Sequence, residues 1–217
     1  MVEQHIGVKL QRGNHACNIF RNRQERLSII LPFFKGALAN NERCLFIVEE
    51  SLRITICQIL QNAGFRLETG LKRGQPVFFT PENSYIKNRC FDPDRTIEFI
   101  LQAQNQAIVD GYNGLRINGT GTDFSGSGLS GCDRLIEYES KINYFFPPNY
   151  TTAICQYDET LAPEELLRDI LLVHPQLVIG EQVLNNPYYQ SPQEFGRSPK
   201  QNYQTLKNNL IEEGERA

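Results

Sequence analysis

The sequence predicts a three-layer α/β fold, a mostly parallel sheet covered by helices on both faces, with one further helix at the C-terminus. Three observations carry this. Short apolar runs alternate with longer stretches whose apolar residues recur every three or four positions, the patterns of buried strands and of amphipathic helices. The intervening stretches are long enough for the helical crossovers that parallel neighbours require. The 217 residues, 40% hydrophobic and 22% charged, suffice for one large domain and exclude a disordered chain.

Each element has its own justification. His15-Ala16-Cys17-Asn18-Ile19-Phe20 is a short strand. It leads through residues 21–24 into a helix with Leu27, Ile30, Leu31, Phe34 and Leu38 at helical spacing, kinked at Pro32 and ended by Asn40-Asn41. Residues 44–48 form a continuous apolar run, the mark of a strand buried on both faces. A helix over residues 54–60 is closed by Gly64, and Val77-Phe78-Phe79-Thr80 is the third strand. Asp92-Pro93-Asp94 opens the next helix, with Asp92 as its cap. Residues 114–119 make the fourth strand, and a Gly/Ser-rich loop over 119–131 precedes a helix through Leu135, Ile136 and Ile142. Residues 152–157 are the fifth strand, Pro163 lies in the first turn of another helix, and Leu177-Val178-Ile179 is a sixth strand. The domain is expected to close near residue 195. Residues 196–217 then form a linker and helix whose thin stripe, Tyr203, Leu206 and Leu210, suits either a paired coiled-coil seam or docking on its own domain.

Composition narrows the function classes. Twenty-two Lys+Arg against 25 Asp+Glu give a net charge of −3, so no domain-wide basic footprint for nucleic acid exists. No apolar run approaches membrane-spanning length, and residues 1–5 have neither the basic nor the apolar part of a signal peptide, which predicts a cytoplasmic protein. None of the six cysteines forms a C-x-x-C pair, and several sit in apolar runs, where they read as small core residues in a reducing compartment. The sequence marks neither a catalytic set nor a metal-ligating set, and it leaves any cofactor unknown.

Ligands of parallel α/β sheets bind beyond the C-terminal strand ends, so the loops there supply the candidates. After the first strand come Arg21, Asn22 and Arg23, without the glycines, lysine and hydroxyl of a phosphate-binding loop, although arginines at a helix start can hold an anion. Glu49-Glu50 follows the second strand, where a carboxylate could act as a base; acidic residues at a helix start are also expected from its dipole. The Gly/Ser-rich loop is not a dinucleotide fingerprint, and the sequence brings no histidine to a nucleophile. His15, Arg21, Arg116 and Asp158 are expected around one pocket at the strand ends, with Arg23 and Glu49 as further ligand-binding candidates.

An ordered series of runs then points to a family. Gly13-Asn14-His15-Ala16-Cys17-Asn18-Ile19-Phe20, Phe33-Phe34-Lys35-Gly36-Ala37-Leu38 and Asn41-Glu42-Arg43-Cys44-Leu45-Phe46-Ile47 come first. Phe91-Asp92-Pro93-Asp94-Arg95, Gly111-Tyr112-Asn113-Gly114-Leu115-Arg116, Tyr138-Glu139, Ile154-Cys155-Gln156-Tyr157-Asp158, His174-Pro175 and Asn186-Pro187-Tyr188-Tyr189 follow. Together they resemble the MEDS sensory domain, the input domain of methanogen and methylotroph regulators, including the dichloromethane-dehalogenase regulator. The resemblance implies a RecA/KaiC-like fold with a degenerate phosphate-binding loop. It further implies a non-catalytic domain that binds a small organic ligand and signals to a histidine kinase or DNA-binding output module. A homodimer through the C-terminal helix, no membrane association and no direct nucleic-acid binding complete the expectation. The rivals are a nucleotide-hydrolysing RecA/KaiC-like ATPase using Glu49, Glu50 and the arginines, and a protein-binding scaffold. The 119–131 loop departs from the acidic and aromatic pattern usual in the family.

Overall fold

The computed structural model describes residues 10–121, 130–146, 149–180, 182–195 and 202–216. In chain order they form β1 (His15–Phe20), α1 (Arg23–Ser28), α2 (Ile30–Ala39), β2 (Glu42–Ile47), α3 (Glu50–Asn62) and α4 (Leu67–Lys72). Next come β3 (Val77–Phe79), α5 (Pro81–Ser84), β4 (Ile86–Lys87), β5 (Cys90–Phe91), α6 (Pro93–Val109) and β6 (Gly114–Thr120). The chain continues with α7 (Leu135–Lys141), β7 (Thr151–Asp158), α8 (Glu164–Val173), β8 (Gln176–Ile179), β9 (Gln182–Asn185) and α9 (Tyr203–Arg216). Seven strands make one sheet in the order β3-β2-β6-β7-β1-β8-β9. Neighbours are parallel up to β8, and β9 alone runs antiparallel, at the edge. The short β4 and β5 pair separately.

Alternation along the strands divides the core in two, because successive side chains point to opposite faces. Cys17, Leu45, Ile117, Cys155 and Tyr157 face a layer built from α6, α7, α8 and α9. Ala16, Cys44, Phe46 and Ile154 face the other layer, where Ile30, Phe33, Ile56 and Leu67 arrive from α2, α3 and α4. The three-layer, mostly parallel architecture is the one the sequence predicts.

Local chemistry explains the element boundaries. Asp92 caps α6, its carboxylate accepting from the backbone N–H groups of Asp94 and Arg95, with Pro93 at the first helical position. The single kinked helix expected over residues 25–38 is instead two helices broken at Ile29, and Pro32 falls in the first turn of α2, where no intrahelical N–H bond is lost. Residue 163 precedes α8 rather than lying in its first turn. The sequence reading missed α4 and β9, one short and the other half-exposed, so neither carries a strong apolar period.

The C-terminal helix does not leave the body. Tyr203, Leu206 and Leu210 are at most 2% exposed and pack within the cluster that includes Leu167, Ile170 and Leu171 of α8. The stripe expected to pair with a second chain is spent inside this one. The apolar surface of α8 supplies the partner that the polar composition of residues 200–210 suggests would lie in a second chain.

Candidate functional site

A ligand could be received at either end of β1. At the C-terminal end a pocket of about 250 Å³ lies between β1, β8 and α9. Its walls include Asn18, Arg21, Val178, Tyr203, Lys207 and Leu210. Lys207 is held by an ion pair with Glu159, to which the Tyr203 hydroxyl also donates at 3.2 Å. Burial beside Glu159 pushes the Tyr203 phenol well above its ordinary pKa, so it stays a donor.

The loop after β1, where a phosphate-binding loop would sit, is satisfied by its own side chains. Asn22 caps α1 by accepting from the Glu25 backbone N–H at 2.9 Å. The Glu25 carboxylate accepts from the Arg21 backbone N–H at 2.9 Å, the Arg21 guanidinium at 3.1 Å and the Asn22 amide at 3.1 Å. These bonds hold the Glu25 carboxyl below its ordinary pKa. A carboxylate of the chain itself thus stands where a phosphate would be cradled, and a nucleotide would have to displace it.

At the N-terminal end of β1 a polar cluster is sealed into the core. Each member is placed by a local reason. His15 opens β1 on the face that meets α7 and α8. Glu139 is on the inner side of α7, one turn from buried Leu135. Cys155 is on β7, whose register puts it opposite Cys17 and one pleat from His15's partner Ala153. Pro175 forces His174 out of helical geometry, to φ −106° and ψ 119°, so α8 ends there. The His174 ring turns back and donates Nδ1–H to the orphan carbonyl of Ile170 at 2.7 Å.

These partners fix the tautomers. The Asn143 amide donates to the carbonyls of Glu139 (3.0 Å) and Val173 (2.8 Å), leaving its oxygen to accept from His15 Nδ1 at 3.0 Å. Both imidazoles therefore carry hydrogen on Nδ1 and turn Nε2 inward. His15 Nε2 lies 3.1 Å and His174 Nε2 3.4 Å from Glu139 Oε2, while Cys155 Sγ is 3.5 Å from His15 Nε2. His174 Nε2 is buried and makes no well-formed hydrogen bond, because the 3.4 Å approach to the carboxylate has poor geometry. Tyr157 donates to Glu139 Oε1 at 2.6 Å. Gly121 lets the chain pass against the Tyr157 ring, which any β-carbon there would overlap.

Electrostatics follow from this burial. Desolvation lowers the His15 pKa, and the neighbouring His174 adds to it. Burial alone would raise the Glu139 carboxyl, and the two facing imidazoles outweigh it and hold the carboxyl below its usual range. The Cys155 thiol and Tyr157 phenol are pushed up, first by burial and then by the Glu139 charge.

The predicted site residues divide between these places. Arg21 lines the β1–β8–α9 pocket. Arg23 is exposed and donates to Thr55 of α3 at 2.6 Å. Glu49 is exposed at the start of α3 and accepts from Ser51 at 3.3 Å. The expected grouping of His15, Arg21, Arg116 and Asp158 is corrected by the sheet. His15 begins β1 whereas Asp158 pairs with Phe20 at its far end, so the two stand at opposite ends of the strands. Arg116 points to the opposite face from His15, buried against Phe33, with Nε 2.6 Å from Glu42. Asp158 Oδ1 accepts from the backbone and hydroxyl of Thr160, shaping the turn after β7. The Gly/Ser-rich loop falls mainly on residues 122–129, outside those described. Glu139, Cys155 and His174 were not predicted, yet each falls in a run that carried the family resemblance. The available signal was polar, ligating side chains inside otherwise apolar segments.

The chain folds as a mostly parallel, three-layered α/β sheet with a ligand-sized pocket at its strand ends and a first loop whose donors are taken up by its own side chains. Among solved structures it is similar to a KaiC-like protein from the hyperthermophilic archaeon Pyrococcus horikoshii OT3, with a TM-score of 0.56 and 13% identity over 77% of this chain and 72% of that one. The family model of the MEDS domain, "MEthanogen/methylotroph, DcmR Sensory domain", matches residues 14–175, and the chain belongs to that family. Curated proteins provide no match. Among the described residues, no helix is long and apolar enough to cross a membrane.

Proposed function

We propose that this chain is the small-molecule-sensing input domain of a signal-transduction or transcription-regulatory protein. The carrying observation is that the pocket at the ends of β1 and β8 has the C-terminal helix as one wall. A small, largely apolar organic molecule resting on Val178 and Leu210 would bear directly on α9, and so on whatever kinase or DNA-binding module follows in the signalling system. Membership in a sensory family supports the same reading. The ATPase alternative finds less support, because Glu25 takes the donors that would hold a phosphate.

A thermal-shift screen with short organic compounds, run beside magnesium–ATP, tests this. A true ligand at a hundredfold excess over its Kd stabilises by about 2.7 kcal/mol, roughly 5–10 °C for a chain of this size. Bound ligand should also slow amide exchange over residues 203–211. ATP should do neither; an ATP-induced shift with turnover that Glu49→Gln abolishes would sink the proposal in favour of the ATPase.

A further inference from the structure

We propose that His15, Glu139, Cys155 and His174 form a buried binding site for a divalent transition metal of the zinc class. One atom from each, Nε2, Oε2, Sγ and Nε2, lies within 4.8 Å of every other. Three of the separations, 3.1, 3.4 and 3.5 Å, lie within a few tenths of an ångström of the edges of a tetrahedron about an ion with bonds of ~2.0–2.3 Å, which are roughly 3.3–3.8 Å.

The hydrogen-bond pattern argues more strongly than the distances. With Nδ1–H of both rings committed to Asn143 and Ile170, the neutral form of each imidazole aims a lone pair at the carboxylate oxygen. Lone pair facing lone pair is repulsive in a sealed interior, and His174 Nε2 finds no proper donor there. A cation at the centre satisfies all four atoms at once. The surroundings are those a metal site requires: Nδ1–H fixed by a backbone carbonyl or an amide on each histidine, and a phenol fixing the second carboxylate oxygen. Charge agrees too. A carboxylate, a thiolate and two neutral imidazoles cancel a divalent ion, so the filled site is neutral, as burial demands. On binding, Cys155 forms its sulfur–metal bond as the thiol proton leaves to solvent. The mixed nitrogen, oxygen and sulfur set favours zinc over magnesium or calcium, which prefer oxygen alone. A small cavity of about 30 Å³ touches Glu139 and Cys155, room for one water-sized additional ligand.

Cobalt(II) reports on such a site directly. The intact chain, stripped with a chelator and titrated with Co²⁺, should bind one ion per chain and develop the intense visible bands of a tetrahedral ion with a near-ultraviolet thiolate-to-cobalt band. Zn²⁺ should displace it stoichiometrically. Cys155→Ser should lose the near-ultraviolet band, and Tyr157→Phe, which leaves all four ligands in place, should weaken binding about 10–100-fold. Circular dichroism identifies any variant that fails to fold. A folded wild-type chain that binds no cobalt, or binds it with the weak spectrum of an octahedral ion, overturns the site. A thiolate band that persists in folded Cys155→Ser overturns the ligand assignment.

Discussion

Arg116 illustrates how a single residue's role depends on which face of the sheet it occupies. The Arg-Ile-Asn run of β6 sends Arg116 beneath α2, where its guanidinium lies 5.3 Å from the Phe33 ring and binds the Leu10 carbonyl at 3.2 Å. Gly36 makes room for it, since a β-carbon would come within 3.2 Å of Nη1. Arg116 and Glu42 are 1% and 2% exposed, so removing either one strands a buried charge. Glu42→Ala should therefore lower stability by about 3–5 kcal/mol, whereas an apolar pair of similar volume at both positions should cost far less. Urea unfolding of the two variants checks this. A single-variant loss below about 1 kcal/mol would mean that water reaches the pair.

Among the elements, α6 rests most visibly on one side chain. The backbone N–H groups of Arg95 and Asp94 hold the Asp92 carboxyl below its ordinary value. A carboxyl depressed in the folded state stabilises fully above its unfolded pKa, about 3.9, and that contribution is lost as pH falls through the lower folded value. Asp92→Ala should cost about 1 kcal/mol at neutral pH and progressively less in acid, so wild-type and variant stability curves should converge on the acidic side. Parallel curves down to pH 2 would show that the cap does not titrate with folding. The break at Ile29 follows comparable local rules: α2, only 10 residues long, is kept helical by its buried Ile30, Phe33, Phe34 and Ala37, whereas the 6-residue α1 buries no residue and rests on its Asn22 cap.

For the whole molecule the decisive contact is α9 against α8. Leu206 is fully buried, so Leu206→Ala should destabilise the chain by about 2–5 kcal/mol. Light scattering should return the same mass for wild type and Leu206→Ala, because the seam is occupied internally. If instead a wild-type dimer became a monomer with an unchanged melting temperature, the docked arrangement would be wrong. Docking also makes α9 a wall of the pocket, to which it contributes Tyr203, Lys207 and Leu210.

Runs such as Cys44-Leu45-Phe46-Ile47 and the cap at Asp92 are governed by near neighbours, so the order of strands and helices could be read directly along the chain. The resemblance to a sensory family came from the same source, as linear runs in sequence order. Strand order and register were beyond that reading. Nothing local states that β1 lies between β7 and β8, or that this separates His15 from Asp158 by the length of a strand. The destination of the Tyr203–Leu206–Leu210 stripe was equally undetermined, since its spacing fits a second copy as well as α8. The quartet of His15, Glu139, Cys155 and His174 is the clearest case. Its members are drawn from β1, α7, β7 and the end of α8, more than a hundred residues apart at the extremes, and only packing of those four elements brings their atoms within 4.8 Å.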